Sequence, residues 1–207
     1  MIGDIPIYVA MDSADAWANP SLFQLDEKNV PYAVAGCPPD GFSATGQLWG
    51  NPLYRWEYHR QTGYEWWLKR LSHCFKLYDA VRIDHFRGFD QYYSIPYGAE
   101  DATRGHWEQG PGIDLFNRVR QVLGEKEVIA EDLGYVTDSV RKLVYDSGFP
   151  GMKVLEFAFD SRDSGCANDY LPHNYPENSV AYTGTHDNET LAGWFDSITK
   201  EEQNMVR

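Results

Sequence analysis

Three apolar runs in this 207-residue chain each stop at an acidic residue, with helical patterns between them. Asp84 closes the run Ala80 to Ile83, Glu131 follows Val128-Ile129-Ala130, and Asp187 ends the stretch from Val180 to His186. Together with two further runs they give five predicted strands: Ile5–Ala10, Ala80–Ile83, Glu127–Ala130, Lys153–Phe159 and Ser179–Thr183. Leu53–Leu77 puts Trp56, Trp67, Leu68, Leu71 and Phe75 at helical spacing, and Gly112–Leu123 does the same with Leu115, Val119 and Val122. Thr137–Ser147 reads as a third helix, with Thr137 as N-cap and Gly148 at the left-handed C-cap position. Thr199 and Glu202 have the spacing of a capping box that opens a last helix, running to Arg207. Strands that alternate with helices imply an α/β fold with a parallel sheet, because parallel neighbours need a crossover between them.

Two architectures satisfy this alternation, an open doubly wound sheet and part of a (β/α)8 TIM barrel of typically ~250 residues. Length favours the open sheet. The acidic residues favour the barrel, where the C-terminal ends of the strands converge on one rim and Asp84, Glu131 and Asp187 face one pocket. No repeat, low-complexity tract or linker interrupts residues 1–207, and 43% hydrophobic with 24% charged residues suffices for one buried core, so a single domain is expected. The segment Asn19 to Pro52 has no sustained period and collects Pro20, Pro31, Gly36, Pro38, Pro39, Gly41, Gly46 and Gly50. It reads as a long loop, and such loops are usually functional.

Charge and composition remove several function classes. The formal net charge of -13 opposes phosphate backbones and anionic membranes, so no nucleic-acid partner is expected. No apolar run approaches the ~20 residues that span a bilayer, and the first residues lack a signal-peptide pattern, so the reading is a soluble, cytoplasmic protein without a membrane partner. Cys37, Cys74 and Cys166 are too scattered for a disulfide framework or a zinc site. His85, His186 and the acids lack metal-ligand spacing, so no metal is expected.

Converging carboxylates are what cleavage of a glycosidic bond requires: one attacks the anomeric carbon, another protonates the leaving oxygen, and a third steadies the oxocarbenium-like transition state. Arg82 lies two residues before Asp84, so on a strand both point the same way and the guanidinium favours an ionised carboxylate. His186, next to Asp187, can donate to a substrate hydroxyl, while His85 is either a site residue or an idle loop histidine. In the long loop Asp40, Phe42, Gln47, Trp49 and Asn51 mix aromatic faces with amide and carboxylate groups, as a sugar subsite does. The same aromatics also serve a loop that is merely pinned to its scaffold.

Asp79-Ala80-Val81-Arg82-Ile83-Asp84-His85-Phe86-Arg87-Gly88-Phe89, Ile129-Ala130-Glu131-Asp132-Leu133-Gly134 and Thr183-Gly184-Thr185-His186-Asp187-Asn188 closely resemble the 4-α-glucanotransferases of glycoside hydrolase family 77. The loop Pro38 to Pro52 resembles that family's too, as do Phe149 to Lys153 and Leu171 to Tyr175. The resemblance implies a retaining (β/α)8 barrel enzyme without a cofactor, acting on α-1,4-glucans and maltooligosaccharides. It makes Asp84 the nucleophile, Glu131 the general acid and base, and Asp187 the transition-state stabiliser, supported by Arg82 and His186. It assigns Asp40, Gln47 and Trp49 to glucan binding, and Asp12, taken as the end of the first strand, to a subsite or to support of the site. Gly41 stands where the family commonly has Tyr, which implies a lost aromatic contact and a looser loop. By the same resemblance the chain spans only the third to seventh barrel strands, an incomplete barrel with long loop insertions whose open edges invite self-association. An α-glucan hydrolase with the same carboxylates and a non-catalytic glucan-binding unit remain as alternatives.

Overall fold

The computed structural model describes residues 1–40, 43–134, 136–160 and 167–206. Gly41, Phe42, Cys166 and Arg207 therefore lie outside the described residues. In chain order the first elements are β1 (Ile2–Pro6), α1 (Ala14–Ala18), β2 (Ala33–Cys37), β3 (Gln47–Pro52), α2 (Trp56–Gln61) and α3 (Glu65–Leu77). There follow β4 (Ala80–Asp84), β5 (Gln91–Pro96), β6 (His106–Gln109), α4 (Ile113–Leu123), β7 (Val128–Ala130) and α5 (Asp138–Ser147). The last are β8 (Gly151–Val154), β9 (Ser179–Tyr182), α6 (Leu191–Ser197) and α7 (Lys200–Val206).

The fold is mixed α/β. One five-stranded sheet has the order β1-β4-β7-β8-β9 and all its pairs are parallel, each strand lying beside the next in sequence with no reversal of direction along the sheet. A second sheet, β3-β2-β5-β6, is antiparallel and was not foreseen. Its strands come from the segments that leave the C-terminal ends of β1 and β4, which places it beside the rim where Asp84 sits. Much of the expected loop Asn19 to Pro52 is thus ordered: Pro20–Leu22 is a 3-10 turn, and β2 and β3 fill its second half. Pairing with distant β5 supplies the hydrogen bonds that the local sequence, rich in Gly and Pro, gives no sign of.

Two predicted strands are displaced. β1 starts at Ile2 and ends at Pro6, where it pairs with Asp84, and the apolar Ile7 and Tyr8 that suggested a later strand are buried just beyond it. β8 ends at Val154, and Leu155–Phe159 is a 3-10 turn. The expected helix Leu53–Leu77 is two helices, because Gly63 and Tyr64 both take left-handed φ angles, 63° and 59°, and break it. The other helix ends follow their chemistry. Thr137 accepts a hydrogen bond from the Val140 N–H, and Gly148 at φ 72° ends α5. Glu202 and Thr199 bond reciprocally at the start of α7.

The core lies between the parallel sheet and its helices. Val81, Ile83, Val128 and Ala130 are buried in the sheet, and Phe86, Phe89, Phe116 and Phe149 form a contiguous set of ring contacts above it. A smaller apolar cluster of Val34, Tyr93, Ile95 and Ala102 holds the second sheet. Among the described residues no helix is long and apolar enough to cross a membrane.

Candidate active site

The parallel pairing of β1 with β4 sets Asp4 opposite Arg82 and Pro6 opposite Asp84. Arg82 is buried, and its guanidinium meets three strands at once. Nη1 donates to both Asp4 oxygens at 2.8 and 2.9 Å, Nη2 to Asp84 Oδ1 at 2.8 Å, and Nε to the Met152 sulfur on β8 at 3.2 Å. A planar fork satisfies such a set of acceptors where an ammonium cannot. Burial works against the cation, but the hydrogen bond and charge of Asp4, with Asp84 and Glu131 beyond, outweigh it and hold the Arg82 pKa above its ordinary value. Asp84 is thereby oriented at the end of β4 with its side chain partly open to solvent.

Glu131 follows β7, and both of its oxygens are held by backbone. Oε2 accepts the His85 N–H at 2.7 Å and Oε1 accepts the Leu133 N–H at 2.9 Å. Burial raises its pKa most and the charge of Asp84 adds to that; the two N–H groups and Arg82 oppose them, and the balance is pushed up to about 7. His85 takes a left-handed φ of 55°, and its ring lies edge-on to Trp49 with centroids 4.8 Å apart. Burial, then the Arg87 charge, push the His85 pKa down to about 3, so the ring is neutral. Asp132 accepts the Met152 N–H at 2.8 Å, which fixes the sulfur that Arg82 uses.

Asp187 sits in a turn closed by its own side chains: Asn188 Oδ1 accepts from the Thr185 N–H and hydroxyl, and Thr185 Oγ1 accepts the Asp187 N–H. His186 links this turn to the rest, with Nε2 3.5 Å from Asp187 Oδ1 and Nδ1 3.9 Å from Asp4 Oδ2. The structure thus brings Asp84, Arg82 and Glu131 together, and the exposed His186 ring lies between Asp187 and Asp4. Asp4, Asp132 and Met152 were missed. The parallel register, had β1 been placed correctly, is the signal that identifies Asp4.

The loop residues divide. Trp49 donates its indole N–H to Gln47 Oε1 at 2.9 Å, and its ring approaches Tyr8 as well as His85, so Gln47, Trp49 and His85 form one edge beside Glu131. Asn51 instead uses its amide N–H on the Val9 carbonyl, a structural tie. Asp40 is exposed and accepts the Ser43 N–H, closing its own turn. Phe42 and Gly41 lie outside the described residues. Asp12 is not at a strand end: β1 stops at Pro6, and Asp12 occupies an exposed turn lining a surface cleft of 360 Å³ with Met11, Ser13 and Trp17. Cys37 is a neutral thiol, its pKa pushed up to about 11 by burial, and is unsuited to nucleophilic attack. Among the described residues no three His, Cys, Asp or Glu side chains converge on a metal position.

What remains is an acid raised to near neutrality beside a carboxylate held by arginine. One group can give and take a proton while the other attacks or stabilises positive charge.

Comparison with known proteins gives a consistent picture. The family pattern described as 4-alpha-glucanotransferase, Glyco_hydro_77, matches residues 1–207. The 4-alpha-glucanotransferase of Clostridium butyricum is 52% identical over 98% of this chain and 41% of its own length. That of Thermus thermophilus is 51% identical over 100% of this chain and 41% of its own. Among solved structures, the amylomaltase from Streptococcus agalactiae in complex with acarbose superposes with a TM-score of 0.92 at 46% identity, covering 98% of this chain and 41% of that one. The chain therefore spans about two fifths of the length of these relatives.

Proposed function

The chain belongs to the 4-alpha-glucanotransferases of glycoside hydrolase family 77, and from that premise we propose that it carries the catalytic carboxylates of an enzyme transferring α-1,4-glucan segments between maltooligosaccharides. The sequential parallel order β1-β4-β7-β8-β9 supports reading residues 1–207 as an arc of the catalytic (β/α)8 barrel, since a doubly wound sheet reverses its order at a switch point. The acarbose named with the streptococcal amylomaltase supports an α-glucan as ligand.

The observation that carries the reading is the division of labour between Glu131 and Asp84. Glu131, with its pKa pushed up to about 7, is still largely protonated when substrate arrives and donates to the departing glycosidic oxygen. Asp84, aimed by Arg82, attacks the anomeric carbon, so the C1–O bond breaks as a glycosyl ester forms. Glu131, now ionised, takes the proton of an incoming glucan 4-hydroxyl, whose oxygen displaces Asp84. Asp187, beside His186, steadies the positive charge in both transition states. Gln47, Trp49 and His85 hold the sugar ring beside this centre, with Asp40 and Phe42 from the preceding loop.

Incubation of the native-length protein with maltotriose alone tests the reading. Longer oligosaccharides together with glucose are expected; glucose and maltose alone would make the protein a hydrolase, and glucan binding without turnover would make it a binding unit. A donor with a fluoride leaving group, which departs with little protonation, rescues Glu131→Gln in part and leaves Asp84→Ala inactive. Equal rescue of both overturns the assignment.

A further inference from the structure

Glu156 has no place in the mechanism above, yet it is 4% exposed and its Oε1 is buried without a hydrogen-bond partner. It lies in the 3-10 turn after β8, where its N–H donates to the Thr183 carbonyl just beyond β9. The next residue, Gly184, rests on the carboxyl: a Cβ there would come within 2.8 Å of Glu156 Oε1 and 3.2 Å of the Asn188 Cβ. Asn188 is the residue whose amide oxygen closes the turn holding His186 and Asp187. The Glu156 carboxyl is therefore the floor of that turn, touching the residue that enters it.

We propose that Glu156 is a positioning residue of the transfer reaction, its buried carboxyl setting through Gly184 where the turn bearing His186 and Asp187 stands, and its charge deciding whether that turn stays in place. The inference rests on the reading of Asp187 as transition-state stabiliser.

An unpartnered carboxylate is costly to bury, so the neutral acid is the form that fits. Burial first, and then the charge of Glu189 directly after the turn, raise the Glu156 pKa. Two elements pack against the same 3-10 turn, the 3-10 turn Ala167–Tyr170 and α7, and neither offers relief. In the first, Asp169 is paired with Arg141, and Lys153 lies over the Tyr170 ring. On α7, Lys200 is bonded to Gln203, Glu202 to Thr199, and Glu201 is exposed. Ionisation thus puts a second negative charge beside Glu189 with no cation in hydrogen-bond contact among the described residues, and the free response is to push the turn outward toward solvent. A displacement of about 1 Å at a catalytic group costs up to about 100-fold in rate.

The test uses the native-length protein with an α-maltosyl fluoride donor and a maltooligosaccharide acceptor, so that the alkaline limb set by Glu131 protonation is removed. Glu156→Gln, neutral and of the same shape, is expected to keep kcat within about twofold of the parent near pH 6 and to hold it at alkaline pH where the parent declines. Glu156→Ala, which removes the floor, is expected to lower kcat by about tenfold or more with a much smaller change in KM. Hydrogen exchange of the amides at 185–188 supplies a readout independent of turnover: it accelerates with pH beyond the intrinsic rate in the parent and not in Glu156→Gln. A Glu156→Gln protein as inactive as Glu156→Ala, or one whose alkaline limb and amide exchange coincide with the parent's, overturns the proposal. If the parent transfers no glucan, the functional reading fails, and the exchange comparison still decides whether Glu156 governs the turn.

Discussion

A raised pKa on Glu131 must appear as a stability cost, and its size follows from the site. In the unfolded chain the carboxyl ionises around pH 4.5, whereas in the fold burial and Asp84 hold it back to about 7. The folded state therefore binds the proton more tightly. Its contribution is fully present below pH 4.5 and is lost as pH rises through 7. At about 1.4 kcal/mol per unit, that interval corresponds to roughly 3 kcal/mol as an upper bound. Glu131→Gln carries no charge at any pH and removes this slope. It also loses one acceptor, since the amide nitrogen must face either the His85 or the Leu133 N–H; that costs about 1–3 kcal/mol at all pH values. The difference in unfolding free energy between Glu131→Gln and parent should thus begin negative at about pH 4 and rise by about 2–3 kcal/mol by about pH 8. Urea unfolding of both chains across that range measures it, and other titrating groups, common to both, cancel. A difference that stays flat with pH refutes the raised pKa, and with it the assignment of Glu131 as proton donor.

Arg82→Lys should cost transfer activity by about 100-fold in the maltotriose assay, because one ammonium cannot serve Asp4, Asp84 and Met152 together. Arg82→Ala should destabilise the fold by about 2 kcal/mol in urea unfolding, short of the ~3–5 kcal/mol of a fully buried pair because both carboxylates reach solvent. His59, fully buried among Tyr54, Trp56 and Trp66, has its pKa lowered to about 4 by burial, partly offset by the Leu22 carbonyl, so stability should fall by about 3 kcal/mol from pH 6.5 to 4. His59→Gln, still able to donate to Leu22, should flatten that decline. The isolated 207-residue chain leaves the outer edges of β1 and β9 unpaired, and light scattering should report a mass above 23.7 kDa; a stable monomer would refute edge pairing.

The parts of the fold legible in the sequence are those whose signal is local. β4, β7 and β9 are dense apolar runs, α5 and α7 carry their own caps, and each was placed within a residue or two. What escaped depends on pairing between distant segments. β2 and β3 contain Gly36 and Gly50, and what makes strands of them is the match of Ala33–Gly36 with Tyr93–Pro96 on one side of β2 and the pairing of β3 on its other side. β1 escaped because three of its five residues are exposed: Ile2, Asp4 and Pro6 alternate with buried Gly3 and Ile5, and a search for apolar runs moves past them to Ile7 and Tyr8. That shift hid Asp4 and misplaced Asp12 at a strand end.

The pairing of Arg82 with Asp84 was readable from their spacing, but the setting of Glu131 was not. Asp84 and Glu131 are each an acid following a strand, and only Asp84 has a cation at strand spacing before it. They differ because the last turn of β4 does two things in consecutive residues. Arg82 and Asp84 point to one face, so the aspartate receives a guanidinium. His85 then turns left-handed at φ 55° and directs its N–H to Glu131, which receives backbone dipoles and burial but no hydrogen bond from the cation. Two neutral N–H donors do not compensate the lost solvation of the Glu131 carboxylate, whereas Asp84 sits at a more open position with one bond from a cation. The two carboxylates are therefore set apart by one strand end: Asp84 through the two-residue spacing from Arg82, and Glu131 through a register and a backbone angle that no spacing of residue types encodes.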